Sequence, residues 1–584
     1  MTELGTRSAS QVLRTFLPQQ TADLRGGIYR VTEWTGAAPL AIDDASVRRR
    51  LLREVRIWEL QGNDAGFADD LRRGRRLEVV ELDEQRGVTV ERYPKVWLCP
   101  TCKRIARDDN RSCRCGNRRW GQLHFLGFHG CGAVTEPWIR RCPAHDDVQL
   151  VSPRSSKAAD IRFVCPQCEQ LLMQGLGFRK CPGCQQGNVT WNVHKARSAY
   201  TPHGVVLVNP PRPERLQELQ AAGGATKALV WVVEGLSATS PLTMTGKPTR
   251  AQFVDSLMRS GFDRDAAEKV ATQAAELGQL AADSGAGQLD RIPPARREVA
   301  EGEALDLALA LAESRQPSTA LAAAPGSVLA TRYTTEYPHA LAHAGLAGID
   351  LVDRFPVLNV MYGYSRGGGE AGTSRLVPYR HPKRDGYRFH GDLADTEAYL
   401  IRLDPVRVAR WLNTRGHHLP HWTPADSDPQ DARIAILAAA DVPAPGDSLP
   451  TPTVGADLLT LVHSYAHRVL RQTAVFAGID RDALSEYLVP LHLGFFLYAA
   501  PRGEFVLGGL QAVFETELHA LLGAVTHAEH RCPLDPGCSR GPGACSACLH
   551  VGEPSCRAYN TYLDRGALFG PRGYLANRGS SPLT

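Results

Sequence analysis

Apolar positions along the chain follow two alternating periods. Val47, Leu51, Val55 and Trp58 recur at helical spacing behind Asp43 and Asp44, which can cap a helix start. Over 77–82 and 88–90 the pattern changes to short strands. Residues 1–94 therefore read as a small α/β unit, with Arg72-Arg73-Gly74-Arg75-Arg76 as a solvated basic turn. Residues 201–339 carry helical patterns over 251–278 and 301–315, joined by Gly/Ser/Pro-rich text at 283–294 and a linker at 316–327. Residues 340–450 read as a compact α+β module. In 451–584 the clearest element is a helix over 455–477. Asp457 can cap it, Leu458, Leu459, Val462, Ala466, Val469 and Leu470 line one face, and Gly478 can stop it. Strands at 493–499 and 504–507 flank a turn at 501–503. A second long helix buries Val513, Phe514, Leu518, Leu521, Leu522 and Val525. The fold class that results is multi-domain α+β.

Composition adds boundaries. The chain has 584 residues, 43% of them hydrophobic and 22% charged, which excludes wholesale disorder. Its net charge of +5 is too balanced to name a nucleic-acid partner by itself. No apolar run reaches the roughly 18 residues of a membrane span, and the opening Met1-Thr-Glu-Leu-Gly-Thr-Arg has no signal-peptide core. A cytoplasmic location without a membrane partner is the expectation.

The fifteen cysteines change the picture because they cluster: ten lie between Cys99 and Cys184 and five between Cys532 and Cys556. The 347 residues from Gln185 to Arg531 have none. Clustering of this kind points to metal rather than to disulfides. Residues 95–200 form a zinc-ribbon region. Cys165-Pro-Gln-Cys168 and Cys181-Pro-Gly-Cys184, twelve residues apart, present two thiolate pairs on tight turns and predict one tetrahedral zinc. Cys99-Pro-Thr-Cys102 with Cys113-Arg-Cys115 predicts another. Between them His129, Cys131, Cys142 and His145 can complete a further site. The C-terminal expectation is Cys538, Cys545, Cys548 and Cys556, with Cys532 as the alternative first ligand and one cysteine spare. Three zinc ions are thus expected, and four if the middle set binds. His463 and His467 share a helix face but lack the Glu of a His-Glu-x-x-His motif, so they read as packed or hydrogen-bonded histidines.

Lys103, Arg104, Arg107, Arg111, Arg114, Arg118 and Arg119 surround the first cysteine set against only Asp108 and Asp109. A basic, metal-stapled turn of this kind can contact phosphates; a solvated surface or a protein-binding face is the competing reading. No phosphate-cradling Gly-x-x-x-x-Gly-Lys-Ser/Thr occurs. Asp350, Asp353, Glu397 and Asp404, with Arg366 as a phosphate contact, offer carboxylates for a metal-dependent nuclease or DNA-modifying enzyme, although their spacing matches no metal pair.

The C-terminal text adds a resemblance. His463-Ser-Tyr-Ala-His467, Gly508-Gly-Leu510, Cys545-Ser-Ala-Cys548, Ser555-Cys556 and Asn560-Thr-Tyr-Leu-Asp-Arg565 follow in order. They resemble the helicase-associated zinc-binding domain that ends Mrf-type DNA-repair helicases and the DrmB family of DISARM phage-defence proteins. Mrf-type proteins carry their own motor, which is missing here. Arg7-Ser-Ala-Ser-Gln11, Tyr93-Pro-Lys-Val-Trp-Leu-Cys-Pro-Thr-Cys102, Leu123–Trp138, Tyr362-Gly-Tyr-Ser-Arg366 and Thr396-Glu-Ala398 are similar to DrmB text. One departure is Cys131-Gly-Ala-Val134, where the family has Cys-x-x-Gly-His; Cys142 and His145 can compensate. The resemblance implies the non-motor subunit of an antiviral complex, which partners a DrmA-like helicase-type ATPase and engages DNA.

Overall fold

The computed structural model describes residues 9–107, 112–152, 158–208, 210, 212–236, 250–276, 286–312, 314–323, 329–368, 372–443, 447, 451–500, 507–527, 532–541, 543–552, 555–556, 558 and 560–576. Arg111, the turn at 501–503 and most of the strand expected at 504–507 lie outside them.

Helices and strands mix in both of two compact units, as expected of a multi-domain α+β chain. One unit comprises Met1–Pro210 with Leu358–Leu393, the other Pro211–Val357 with Ala394–Thr584. Segment 340–450 contributes to both.

In the first unit, helix Asp44–Leu60 starts where the sequence places it. The Asp43 carboxylate accepts from Ser46 N at 2.7 Å and satisfies one of the orphan first-turn donors. Its stripe of Val47, Leu51, Val55 and Trp58 is buried with Phe67, Val79, Leu358 and Phe389 in the main core. The basic turn is not simply solvated. Arg72 pairs with Glu59 at 2.6 Å and Arg75 with Asp70 at 2.9 Å, because neighbouring elements present carboxylates to it. A separate, smaller core of Val96, Ile105, Leu123, Ile139, Val148, Leu150, Ile161, Phe163 and Leu176 underlies the cysteine-rich part. So few apolar side chains can supply only a few kcal/mol of net stability, and such small modules need staples.

The second unit is built around the helix Val454–Phe476. Thr453, not Asp457, caps it, accepting from Ala456 N at 3.2 Å. Asp457 is instead buried, held by Arg415 at 2.8 Å and His417 at 2.8 Å. The helix is buried beyond its single predicted face, because Leu461, His463, Ser464, Tyr465 and His467 are covered as well. Strand Gly494–Ala499 pairs antiparallel with Leu484–Val489 on one edge and with residues 398–402 on the other. The expected second long helix is two, Gly509–Thr516 and Leu518–Thr526, broken at Glu517 (φ −130°, ψ 14°). Tyr337 bridges the break: its hydroxyl donates to Phe514 O at 3.1 Å and accepts from Leu518 N at 3.3 Å.

His492 in this unit is buried, its Nε2 donating to Ala300 O at 2.9 Å. Burial, with Arg433 adding to it and the Ala300 contact opposing, pushes its pKa down to about 4. The unfolded chain titrates near the ordinary value of about 6.5. A depressed folded pKa in a base means stability that is present above that value and lost as pH falls towards 4. The expected loss from pH 7 to pH 5 is on the order of 2 kcal/mol. Urea unfolding at the two pH values checks it: His492→Gln should show a shallower fall than the wild type, and equal falls would dismiss the effect.

Candidate metal centres

Four two-ligand motifs in the cysteine-rich part are built on the same kind of turn. In Cys99–Cys102, Cys142–His145, Cys165–Cys168 and Cys181–Cys184 the residue after the second ligand takes a left-handed backbone: Lys103 (φ 60°), Asp146 (42°), Glu169 (58°) and Gln185 (60°). Its N–H returns to the carbonyl of the first ligand at 2.8–3.0 Å. The turn aims both side chains at one point. It also directs backbone N–H groups at the first sulfur, which holds the Cys99 and Cys165 thiols below their ordinary pKa although burial opposes it. Cys142-Pro-Ala-His145 is thus a Cys-x-x-Cys turn with a histidine in the second place.

Five clusters of four ligand atoms result among the described residues, the atoms of each lying within 4.8 Å of one another. The first is as the spacing predicts: Cys99, Cys102, Cys113 and Cys115, with Cys99–Cys115 sulfurs at 3.6 Å and Cys102–Cys113 at 3.3 Å. It rests on the small sheet of Trp97–Leu98, Ile105–Ala106 and Gly121–Gln122.

The next two correct the sequence grouping. Cys165 and Cys168 do not join Cys181 and Cys184. The second cluster is His129, Cys131, Cys181 and Cys184, and the third is Cys142, His145, Cys165 and Cys168. Cys131 and Cys181 sulfurs are 3.4 Å apart, and Cys184 Sγ lies 3.4 Å from His129 Nδ1. In the third cluster, His145 Nδ1 lies 3.5 Å from both Cys142 and Cys165 sulfurs. Strand pairing is the cause. Thr190–Val193 lies antiparallel to Phe125–Phe128, with Thr190 opposite Phe128, which carries the Cys181 turn to the loop holding His129 and Cys131. Gly183 permits the approach, since a Cβ there would sit 3.0 Å from Ala133 Cβ and 3.5 Å from Cys131 Sγ. Gln149–Val151 pairs with Arg162–Val164 and sets the Cys142 turn beside the Cys165 turn. The two sites are therefore nested, the third lying in sequence between the halves of the second.

The C-terminal set is corrected too. The fourth cluster is Cys532, Cys538, Cys545 and Cys548, so both candidate first ligands belong and Cys556 does not. Cys532–Cys545 sulfurs are 3.4 Å apart and Cys538–Cys548 3.7 Å. Asp535 accepts from Cys532 N at 2.8 Å and is held by Arg565 at 2.8 Å, which braces the loop. Cys556 instead meets His463, His467 and Glu486 in a fifth, buried cluster. The spare fifth cysteine and two histidines four residues apart were its sequence signals. Glu486, inside the buried strand Leu484–Val489, was missed.

The basic side chains divide. Arg104 and Arg114 both bind Asp147 Oδ2, at 3.1 and 3.2 Å, and Arg104 also reaches Cys102 Sγ at 3.7 Å. Arg104 is turned to the first cluster, whereas Arg114 pairs with Asp147 while remaining exposed. Lys103, Arg107, Arg118 and Arg119 are exposed, and no ion pair among the described residues engages them.

The carboxylates of the enzymatic alternative do not assemble. Asp350 is buried between Arg315 and Arg402, each at 3.2 Å. Glu397 accepts from Leu510 N and Gln511 N at 3.0 and 3.2 Å, capping a helix start. Asp404 caps Pro405–Thr414, and Asp353 is exposed. The Arg366 guanidinium is committed to the carbonyls of Gln19, Gly132 and Ala199. None of these carboxylates belongs to a ligand cluster among the described residues.

A family model described as a domain of unknown function, DUF8724, matches residues 8–203. That span contains the first three clusters. No curated protein matches the chain. Among the described residues no helix is long and apolar enough to cross a membrane.

Proposed function

We propose that the chain is the non-motor, zinc-stapled subunit of a DISARM-like antiviral complex, which partners a helicase-type ATPase and helps it engage DNA. The observation that carries this reading is the first cluster's surface. A four-thiolate turn presents Lys103, Arg107, Arg118 and Arg119 outward with Arg114, which is exposed and paired with Asp147, while Arg104 is held against Asp147 and Cys102. The absence of a phosphate-cradling loop in the sequence and the DrmB-like text support the rest. In this reading zinc fills the first four clusters. Soft thiolates with at most one imidazole suit it, and four protein ligands close the coordination shell, which makes the ions structural.

The DNA contact is tested by anisotropy titration of a labelled duplex across a salt series. Removing one phosphate-binding cation should flatten the slope of log K against log salt by about 0.9. Changing Lys103, Arg118 and Arg119 to Glu is expected to weaken binding at least tenfold at low salt and to flatten the slope by about 2–3. Unchanged affinity and slope would remove this face from the interface. ATP hydrolysis by the isolated chain would overturn the non-motor assignment.

A further inference from the structure

We infer that His463, His467, Glu486 and Cys556 hold a fifth metal ion, a closed four-coordinate zinc in the interior of the second unit. This centre does not depend on the DNA reading. The ligand atoms converge from three separate segments. His463 Nε2 and His467 Nε2 are 2.9 Å apart. Glu486 Oε1 lies 3.0 Å from the first and 3.3 Å from the second, and Cys556 Sγ lies 3.3 Å from His463 Nε2. Zinc bonds of about 2.0–2.3 Å place neighbouring tetrahedral ligand atoms about 3.3–3.7 Å apart, so a small relaxation admits the ion.

Three further observations point to an ion. First, Glu486 is 1% exposed, yet neither of its oxygens receives a hydrogen bond. A buried carboxylate left in that state is costly, and a cation removes the cost. Second, His467 Nδ1 lies 2.9 Å from the Leu549 carbonyl, so it carries the proton and donates it there. With Nδ1 the donor, Nε2 is the nitrogen that faces the cluster, the usual outer-sphere arrangement of a metal-bound histidine. Third, the Asn560 N–H donates to Cys556 Sγ at 3.2 Å, a contact that favours thiolate.

Charge explains why this cluster differs from the others. Four thiolates around a divalent ion leave a net charge of −2, and three thiolates with one imidazole leave −1, which sites with partly exposed ligands can carry. Two neutral imidazoles, one carboxylate and one thiolate leave none. Neutrality is what a site needs when its four residues are 0%, 0%, 1% and 2% exposed. Such burial gives water no open position, so the ion cross-links helix Val454–Phe476, strand Leu484–Val489 and the tail carrying Cys556.

Elemental analysis of the zinc-reconstituted full chain is expected to give five ions per chain for the wild type and four for Glu486→Gln and for Cys556→Ser. The wild-type count needs no variant to fold; four ions there would overturn the proposal, as would five retained in both variants. Cobalt reconstitution identifies which ion is lost. The fifth centre holds one of the fifteen thiolates. Glu486→Gln should therefore lose one metal in five with almost no fall in the thiolate-to-cobalt charge-transfer band. A fall of three or four parts in fifteen would place the lost ion elsewhere and refute the assignment.

Discussion

Replacing Cys131 and Cys184 together by serine is expected to remove one metal ion per chain, whereas replacing Cys165 and Cys181 together should remove two. In the nested arrangement Cys131 and Cys184 share one cluster, and Cys165 and Cys181 sit in different ones. Pairing by sequence order predicts the opposite counts, so two elemental analyses separate the alternatives. The structural effect should be large. Binding energy at a structural zinc is folding energy, about 10–16 kcal/mol in small zinc modules near neutral pH. The core beneath these sites has nine buried apolar side chains, too few to hold the strands alone. The Cys165/Cys181 pair should therefore expose the segment 125–193 to protease while the second unit stays resistant. Equal metal loss in both double variants would refute the nesting.

Asp350→Ala is expected to destabilise the second unit by about 3–5 kcal/mol, the range for removing one partner from a buried ionic group. Asp350 is fully buried and balances two guanidinium groups, Arg315 and Arg402. Burial lowers the Arg402 pKa while Asp350 opposes it, so the carboxylate is what keeps that charge tolerable. Without it, the carbonyls of Leu236 and Gly235, at 3.1 and 3.2 Å, remain as acceptors but supply no charge. Denaturant unfolding measures the loss. Adding Arg315→Met and Arg402→Met to Asp350→Leu should recover most of it, because an apolar set of similar volume avoids the desolvation cost. A loss below about 1 kcal/mol in Asp350→Ala would show that the pair is screened as if at the surface.

Helix Asp44–Leu60 was legible down to its cap, because a stripe at 3.6 spacing behind an aspartate is a local signal. The break at Glu517 was not, since apolar spacing runs through it and the Tyr337 hydroxyl that bridges it comes from a distant segment. Asp457 looked like a cap because it stands near a helix start. Its partners, Arg415 and His417, lie about forty residues away and claim it for the interior.

Sequence by itself determined the candidate ligands of the first three clusters as a set, but at the C-terminus it took Cys556 in place of one of Cys532 and Cys538. Each two-ligand turn is closed by hydrogen bonds within six residues, so spacing is enough to recognise it. Only the tertiary structure decided which turns come together in one cluster. That depends on the pairing of Thr190–Val193 with Phe125–Phe128 and of Gln149–Val151 with Arg162–Val164, contacts between strands far apart in the chain. The same holds for the fifth cluster. His463, His467, Glu486 and Cys556 are ordinary residues one by one, and they become a site when a helix, a strand and the tail bury them against one another.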